Sequence, residues 1–263
     1  TGADIRFVNL SGGVVGFMWY WTAPMEQGSV YADKTDFRLS KAVTGEDIAQ
    51  LDPEELQELL DQRKISAECY ALVESIDQVA GQLARLKDAD VPVLWRPLHE
   101  AGGGWYWWGS DGADAYQWLW RLLYDRLTAY HGLNNLLWVW NGQSRDYYVG
   151  QAYYDIASID VYLRADAEYG SRYGQFQWLY ALTEGEKLLA LSECSRIPDV
   201  DAIFRDNAVW SFFGLWYGDY LVGQDGTLNG KYISTDDLIK YYNSDGTLSL
   251  SEYIKMSQKS LAN

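Results

Sequence analysis

Apolar runs of strand length alternate along this chain with segments in which apolar residues recur every three or four positions. The first pattern predicts buried strands and the second predicts amphipathic helices. The predicted strands cover residues 13–21, 91–98, 136–140, 156–162, 188–192 and 210–216. The predicted helices cover residues 46–62 (with Thr44 or Asp52 as the cap), 66–88, 111–130, 173–183 and 199–207, and a polar loop is predicted over 25–44. This alternation indicates a parallel sheet with crossover helices.

Four of the six predicted strands end in a polar or aromatic side chain. These strand-end residues are Glu100, Asn141, Tyr162 and Glu193. In a (β/α)8 barrel, or TIM barrel, active-site groups lie at the carboxyl ends of the strands. The pattern therefore predicts the α/β class and a (β/α)8 barrel. Because six strands are found where eight are needed, either the chain is a fragment whose N-terminus lies upstream or the barrel is incomplete. We favour the first alternative and expect a single catalytic domain over residues 1–263 that is incomplete at its N-terminus.

Composition and charge narrow the set of partners. The chain of 263 residues holds 13 Trp and 21 Tyr, and aromatic residues make up 16% of it. These side chains offer flat apolar faces with polar tips, which suit sugar rings as well as a protein core. The formal net charge of −16 disfavours nucleic acid and anionic membranes, because phosphate binding needs clustered Lys and Arg. A neutral polymer is compatible with this charge, which also promotes solubility.

Cysteine usage and hydropathy give no sign of a metal site or a membrane segment. The two cysteines, Cys69 and Cys194, show no zinc-ligand spacing, and we expect both to be free thiols. No apolar run in the sequence is long enough to span a bilayer. We therefore expect no cofactor, no metal and no membrane insertion.

Glu100 and Glu193 form the candidate catalytic pair, since each acid follows a different predicted strand. Retaining glycosidases hold two carboxyl groups roughly 5–5.5 Å apart, whereas inverting enzymes separate them further to admit a water molecule. The sequence leaves that distance open. The aromatic surroundings of Glu100 favour its protonated form, and hydrogen bonds from neighbouring groups are expected to keep Glu193 ionised.

Three polar residues near the two acids are candidates for supporting roles. His99 is either structural or a sugar contact, and the residues alone leave these alternatives equal. Arg96 is expected to orient a carboxylate from within the barrel. Asp160 is expected to be a second supporting residue.

The aromatic residues after the two acids are candidates for a sugar-binding wall. Trp105, Trp107 and Trp108 cannot all contact sugar, so we expect one or two of them in the core. Trp216, at the end of the last predicted strand, is a candidate platform beneath the reacting sugar ring.

The segment VPVLWRPLHEAGGGWYWWG, residues 91–109, closely resembles the acid/base segment of glycoside hydrolase family 26, whose best-known members are endo-β-1,4-mannanases. Weaker similarities follow the family order in GGVVGFMWYWTAP, GLNNLLWVWNG, DIASIDVY, LLALSE and GLWYGDY. The resemblance covers the chain from residue 12 onward. It implies a (β/α)8 barrel and retaining hydrolysis by double displacement.

The resemblance also implies roles for individual residues. It implies that Glu100 is the acid/base at the end of strand four and that Glu193 is the nucleophile at the end of strand seven. It implies that Tyr162 forms a hydrogen bond with this nucleophile. The residues that match sugar-contacting positions around the cleaved bond are His99, Trp105 and Trp216. The same motifs make residues 13–20 the third strand, which implies that strands one and two are missing from the N-terminus of this chain, in agreement with the strand count.

Tyr20 marks a departure from the family pattern. In mannanases of this family the third strand usually ends in Trp-His or Leu-His, four residues before a proline, and Tyr20 holds this place relative to Pro24. We expect Tyr20 and its neighbour Trp21 to contact substrate. A phenol donates a hydrogen bond as an imidazole does but reaches farther, so the glycone-side contacts and the preference for mannan are expected to depend on this position.

These features predict a retaining endo-glycoside hydrolase that cleaves β-1,4-mannosidic bonds in mannan, glucomannan or galactomannan. One alternative keeps the mechanism but changes the substrate to mixed-linkage β-glucan or β-1,3-xylan. Another is a carbohydrate-binding barrel without turnover. We expect a polysaccharide as the partner and a monomer that can belong to a multimodular enzyme. We also expect a secreted, extracellular or cell-surface location, with the signal peptide outside this chain.

Overall fold

The computed structural model describes residues 4–6, 8, 12–25 and 28–260. The chain forms two compact units, which divide between Asp155 and Ile156. Among the described residues, the first unit includes Val14–Asp155, and the second includes residues 156–260 together with Gly12 and Gly13.

The first unit contains three short parallel strands and the helices that connect them. Its strands are β1 (Val15–Met18), β2 (Val93–Arg96) and β3 (Leu136–Trp140). Its helices are α1 (Leu39–Ala42), α2 (Pro53–Asp61), α3 (Ala67–Lys87) and α4 (Ala113–Asp125), which continues into a π-helical turn over Arg126–Tyr130. β2 pairs in parallel with β1 on one side and with β3 on the other. All three predicted strands are confirmed, the first two over shorter spans.

Capping side chains decide where two helices of this unit begin. Asp52 accepts hydrogen bonds from the backbone of Glu54 and Glu55, and Pro53 occupies the first turn, so α2 begins after Asp52 and residues 46–52 are not helical. The Ser66 hydroxyl accepts from the Cys69 backbone and starts α3 in the same way. The sequence prediction of a helix from residue 46 was wrong because the stronger cap lies farther along the chain.

The predicted loop over residues 25–44 contains a short helix, α1. Leu39 and Ala42 are both buried, and they anchor this turn in the core. The prediction missed this helix because one turn is too short to show helical periodicity.

A buried arginine ties the helices of the first unit together. The Arg126 guanidinium donates two hydrogen bonds of 2.7 Å to the Asp77 carboxylate of α3. It also donates to the carbonyls of Ala49 and Leu51, and it lies over the Tyr130 ring. The side chain of Arg126 is fully buried, so its charge depends on Asp77 for compensation.

The second unit repeats the pattern of parallel strands and helices. Its strands are β4 (Ile156–Val161), β5 (Leu188–Cys194) and β6 (Phe213–Leu215), and β5 pairs in parallel with both others. Its helices are α5 (Tyr173–Leu182), α6 (Val200–Arg205), α7 (Thr235–Tyr242) and α8 (Leu250–Ser260). Asp199 caps α6 through the Ala202 backbone, close to the predicted start of that helix. β6 is shorter than the predicted strand over 210–216.

Two further expectations concern cysteines and membrane segments. Cys69 and Cys194 are buried free thiols, as predicted. Within the part of the chain that the structure describes, no helix is both long enough and apolar enough to cross a bilayer.

Replacing Asp77 tests how much the buried ion pair contributes to stability. Asp77→Asn leaves the Arg126 charge buried without a counter-ion, so we expect the free energy of unfolding to fall by about 3 kcal/mol at neutral pH. Urea denaturation measures this change. Asp61→Asn, an exposed acid at the end of α2, is the matched control and should change stability by less than about 0.5 kcal/mol.

The same pair predicts a pH dependence. Burial acts to raise the pKa of Asp77, but the hydrogen bonds and charges of Arg126 and His131 outweigh it and lower this pKa below its ordinary value. The contribution of Asp77 to stability is therefore present above the pKa of an unfolded aspartate and is lost as pH falls through the lowered pKa.

The two asparagine variants also show what would contradict the stabilising role. Equal losses in the free energy of unfolding for Asp77→Asn and Asp61→Asn at neutral pH would show that the pair of Asp77 and Arg126 is not a stabilising contact.

Candidate active site

Glu100 lies four residues after the end of β2 in a strained turn. The φ angles of Leu98 and Glu100 are 51° and 53°, in the left-handed region that non-glycine residues rarely adopt. The Glu100 backbone N–H is held by Asn141 at the end of β3, at 2.7 Å from its carbonyl and 3.2 Å from its side-chain Oδ1. Backbone strain of this kind concentrates at functional sites, and here the end of the neighbouring strand holds it in place.

Asn141 also fixes Arg96, the last residue of β2. The Arg96 guanidinium donates to Asn141 Oδ1 at 3.3 Å and lies 3.1 Å from the Met18 sulfur. The Asn141 side chain thus joins Arg96 to the backbone of Glu100. Sequence reasoning placed Asn141 at a strand end but did not assign it a role in the site, although that position was the available signal. The expected orientation of a carboxylate by Arg96 stays a prediction.

His99 is buried in an aromatic pocket of the first unit. Its side chain is 2% exposed, and its ring centroid lies 4.8 Å from that of Tyr106 and 5.6 Å from that of Trp108. Its carbonyl accepts a hydrogen bond from the Trp108 indole. The ring Nδ1 is buried and has no hydrogen-bond partner among the residues that the structure describes. Burial, with a smaller effect from the Arg96 charge, lowers the pKa of His99 from 6.5 to about 3, so this imidazole is neutral at ordinary pH.

The tryptophans after Glu100 divide between core and surface. Trp107 and Trp108 are fully buried, which confirms that some of the three belong to the core. The Trp105 side chain is 46% exposed. It packs over Gly103, where an added β-carbon would lie 2.0 Å from the indole ring, so only glycine admits this orientation.

Tyr20 and Trp21, both expected to contact substrate, lie in different environments. Tyr20 is 49% exposed, and its ring centroid lies 6.5 Å from that of His99, so it is available to a ligand. Trp21 is 2% exposed, its indole N–H donates to Ser75 at 2.7 Å, and its ring packs edge-on against Trp107. The expectation for Trp21 was wrong, because this side chain is a core residue with no face left for a sugar.

Glu193 is a buried carboxylate near the end of β5 in the second unit. The hydroxyl of Tyr162, the residue after β4, donates to Glu193 Oε2 at 2.5 Å. A register shift in the β4–β5 pairing places Asp160 beside Glu193. The hydrogen bond between Tyr162 and Glu193 that the resemblance implied is therefore present in the structure.

Asp160 supports the same strand ends from within the pairing. The Ser192 hydroxyl donates to Asp160 Oδ1 at 2.7 Å and lies 2.8 Å from the Ser158 hydroxyl. Asp160 is itself buried, so its carboxylate links β4 to β5 next to Glu193. This arrangement fits the supporting role expected for Asp160.

Trp216 follows β6 directly, and its ring lies next to Tyr162, the residue that donates to Glu193. Its backbone N–H donates to the Cys194 carbonyl at 2.9 Å, and its ring lies edge-on to Tyr162 at 6.4 Å between centroids. The ring centroid of Tyr220 lies 5.3 Å from that of Tyr162. Sequence reasoning did not single out Tyr220, although it ends the GLWYGDY motif.

The buried neutral His99 predicts a defined pH dependence of folding. The unfolded chain binds a proton at this residue below about pH 6.5, whereas the folded chain does not until about pH 3, so stability falls as pH falls within this window. We expect His99→Gln to be less stable than the native protein at pH 7. This difference should shrink by up to about 1.4 kcal/mol for each pH unit towards pH 5.

Urea denaturation at several pH values measures this difference, and NMR titration of the imidazole provides an independent readout. A His99 ring that titrates near pH 6.5 in the folded protein would contradict the prediction.

Comparison with known proteins supplies the family. The model of glycosyl hydrolase family 26 matches residues 3–235. A mannan endo-1,4-beta-mannosidase of Thermothelomyces thermophilus is 38% identical over 250 residues, which are 92% of this chain and 46% of that protein. Mannan endo-1,4-beta-mannosidase B of Piromyces sp is 29% identical over 91% of this chain and 37% of that protein. The chain thus spans less than half the length of these two relatives.

Solved structures agree with this match. The GH26-CBM35 beta-(1,4)-mannanase of Podospora anserina superimposes with a TM-score of 0.77 at 36% identity, over 94% of this chain and 52% of that one. A beta-mannanase from a symbiotic protist of the termite Reticulitermes speratus gives a TM-score of 0.77 at 29% identity, over 95% of this chain and 72% of that one. These similarities confirm the predicted (β/α)8-barrel fold class, and the chain belongs to glycosyl hydrolase family 26.

Proposed function

We propose that this chain is the catalytic part of a retaining endo-β-1,4-mannanase. The observation that carries the proposal is the hydrogen bond from the Tyr162 hydroxyl to the buried Glu193 carboxylate. It occurs at the ends of two parallel strands in a chain that belongs to family 26. The names of the similar proteins, mannan endo-1,4-beta-mannosidases and beta-mannanases, support the substrate class.

In the first step, a Glu193 oxygen attacks the anomeric carbon while Glu100 donates a proton to the glycosidic oxygen. The bond to the leaving sugar breaks, and a covalent glycosyl-enzyme forms on Glu193. Tyr162 donates its hydrogen bond to Oε2, so it orients the carboxylate. When the covalent bond to the sugar forms, the Glu193 carboxylate loses its negative charge, and the hydrogen bond from the Tyr162 hydroxyl becomes weaker.

In the second step, Glu100 acts as a base. It removes a proton from water, which attacks the anomeric carbon and releases Glu193, so the product keeps the configuration of the substrate. The mechanism requires roughly 5–5.5 Å between the two carboxyl groups. The turn that holds Glu100 fixes its backbone through Asn141, and this limits the positions that its side chain can take.

Substrate binding is assigned to aromatic side chains. Trp105 and Tyr20 present exposed aromatic surface on the first unit. His99 is neutral and 2% exposed, and its buried Nδ1 has no hydrogen-bond partner within the described part of the chain, so its burial favours the structural alternative over a direct sugar contact. Trp216 is the proposed platform on the second unit.

The cellular context follows from the size of the substrate. A polysaccharide is too large to enter a cell before it is cut, so we propose a secreted or cell-surface enzyme. The GH26-CBM35 composition of the Podospora anserina mannanase supports a place within a multimodular protein.

A polymer comparison tests the proposed activity. We expect the intact protein to release reducing ends from mannan, glucomannan and galactomannan faster than from mixed-linkage β-glucan or β-1,3-xylan. Glu193→Gln should lower kcat/KM on mannan by roughly 10⁴-fold, since a nucleophile has no substitute in this mechanism. Glu186→Gln is the matched control, because this exposed acid precedes β5 at its opposite end.

The outcomes separate the competing functions. Faster release of reducing ends from mixed-linkage β-glucan or β-1,3-xylan than from mannan would identify that polymer as the substrate in place of mannan. Binding of mannan without any release of reducing ends would identify a carbohydrate-binding barrel. Full activity of Glu193→Gln would overturn the assignment of the nucleophile.

Leaving-group chemistry tests the role of Glu100. We expect Glu100→Ala to lose roughly 10³-fold in kcat on mannan, because the leaving sugar needs a proton. An aryl β-mannoside with an acidic phenol needs little protonation, so formation of the glycosyl-enzyme from it should be nearly unimpaired. Burst kinetics measure this step, and equal losses on both substrates would contradict the acid role.

A further inference from the structure

The Tyr162 ring must be held in one orientation, because its hydroxyl sets the direction of the Glu193 carboxylate. Tyr162 follows the last residue of β4, so the strand fixes its backbone but leaves several rotamers open to its side chain. The side chain is 38% exposed, so the core encloses only part of it. A phenol that turned away would lose the 2.5 Å hydrogen bond to Glu193 Oε2. Groups that hold this ring therefore act on the proposed nucleophile.

Two aromatic rings of the second unit contact Tyr162. Trp216 lies edge-on to it at 6.4 Å between ring centroids, and Tyr220 lies closer, at 5.3 Å with an angle of 55° between the rings. Aromatic pairs at these separations attract each other beyond the simple burial of apolar area. Trp216 is already the proposed platform beneath the sugar, whereas the nearer ring, Tyr220, has no part in the steps of hydrolysis.

The turn that carries Tyr220 is closed by its own backbone. Tyr220 ends a 3-10 turn over Gly218–Tyr220, and the N–H groups of Leu221 and Val222 both donate to the Gly218 carbonyl at 2.9 Å. Gly218 has a φ of 64°, in the left-handed region that glycine adopts without strain. The local chain conformation therefore sets the position of the Tyr220 backbone.

Asn229 fastens a second segment of the chain to both sides of Tyr220. Its side-chain amide donates to the Asp219 carbonyl at 2.8 Å, and its backbone N–H donates to the Leu221 carbonyl at 3.1 Å. These two carbonyls belong to the residues directly before and after Tyr220. The main chain at Tyr220 is thus held by a residue that lies 10 positions beyond Asp219.

The side chain of Tyr220 has a support from the same segment. The ring of Tyr232 lies 4.7 Å from that of Tyr220 between centroids, at an angle of 49°. Tyr232 follows Asn229 closely in the sequence, so one segment supplies both the main-chain link and the ring contact. Ring contacts therefore run from Tyr232 through Tyr220 to Tyr162. The Tyr162 hydroxyl continues this series to Glu193.

We propose that Tyr220 is a positioning residue, which holds the Tyr162 ring so that its hydroxyl stays on the Glu193 carboxylate. The inference rests on the proposed function and extends it, because it names a residue that acts on the nucleophile through another side chain. Tyr232 and Asn229 support Tyr220 in turn, so the segment that carries them contributes to the rate of hydrolysis.

Burst kinetics with an aryl β-mannoside test this role. We expect Tyr220→Ala to lower the rate of glycosyl-enzyme formation at saturating substrate by roughly fivefold, because a contact that orients the phenol is lost. The substrate concentration at half the maximal burst rate should stay within about twofold, since Tyr220 acts on the nucleophile and not on binding. Tyr220→Phe keeps the ring and should retain most of the native rate. Tyr180→Ala, which removes an exposed tyrosine stacked on Phe176 of α5, is the matched control and should leave the burst rate unchanged.

A double-mutant cycle with Tyr162→Phe separates positioning from other roles. Tyr162→Phe removes the hydroxyl through which Tyr220 acts, so the addition of Tyr220→Ala to this variant should change the burst rate by less than about twofold. Losses that multiply in the double variant would overturn the proposal, because Tyr220 would then act independently of the phenol. A native burst rate at saturation for Tyr220→Ala alone would also overturn it, and a raised half-saturating concentration would then identify Tyr220 as a sugar contact.

Asn229→Ala guards against a Tyr220 variant that fails to fold. Asn229 is exposed, and its truncation removes the amide bond to the Asp219 carbonyl while the Tyr220 side chain stays in place. We expect a smaller loss of burst rate than for Tyr220→Ala, and this loss should disappear in the Tyr162→Phe background. If Tyr220→Ala does not fold and Asn229→Ala keeps the native burst rate, the proposal is overturned.

Urea denaturation of the native protein, the variants Tyr162→Phe and Tyr220→Ala, and their double variant needs no substrate. If Tyr220 holds the phenol on the Glu193 carboxylate, the stability losses of the two single variants should be less than additive in the double variant. This result in a protein that hydrolyses no mannan would support the positioning role and overturn only the proposed function. Additive losses would overturn the positioning role, whether or not the protein is active.

Discussion

In each unit, parallel pairing of consecutive strands brings the carboxyl ends of those strands to one edge, and the candidate chemistry depends on this constraint. Pairing of β2 with β3 brings Asn141 to the backbone of Glu100. Pairing of β4 with β5 brings the Tyr162 hydroxyl to Glu193. Residues 41 and 31 positions apart in sequence thus become hydrogen-bond partners, and no local interaction could have joined them.

The two carboxylates are supported in different ways that match their proposed roles. Glu100 is fixed through its main chain, in a left-handed conformation that Asn141 stabilises, and this limits the positions that its carboxyl group can take. Glu193 is fixed through its side chain, because Tyr162 donates directly to a carboxylate oxygen. A nucleophile needs a defined direction of attack, and a direct hydrogen bond to the carboxylate provides one.

The aromatic residues serve both the core and the proposed binding surface. Indoles in the core use their N–H groups on protein acceptors: Trp107 donates to the Trp21 carbonyl and Trp108 to the His99 carbonyl. These bonds connect the core to the segment that carries Glu100. Trp105 differs because Gly103 and Gly104 beside it provide no side chain to cover its ring. Gly103 and Gly104 therefore leave Trp105 exposed, whereas Trp107 and Trp108 belong to the buried aromatic core.

Sequence alone determined the alternation of strands and helices, the acids that follow two of the strands, and the family. These features are local, since each depends on periodicity or on a motif in one continuous segment. Tertiary structure decided what depends on distant contacts: Trp21 became a core residue because Ser75 and Trp107 enclose it, while Tyr20 beside it stayed exposed. It also gave Asn141 its role, because that role exists only when β3 lies next to β2.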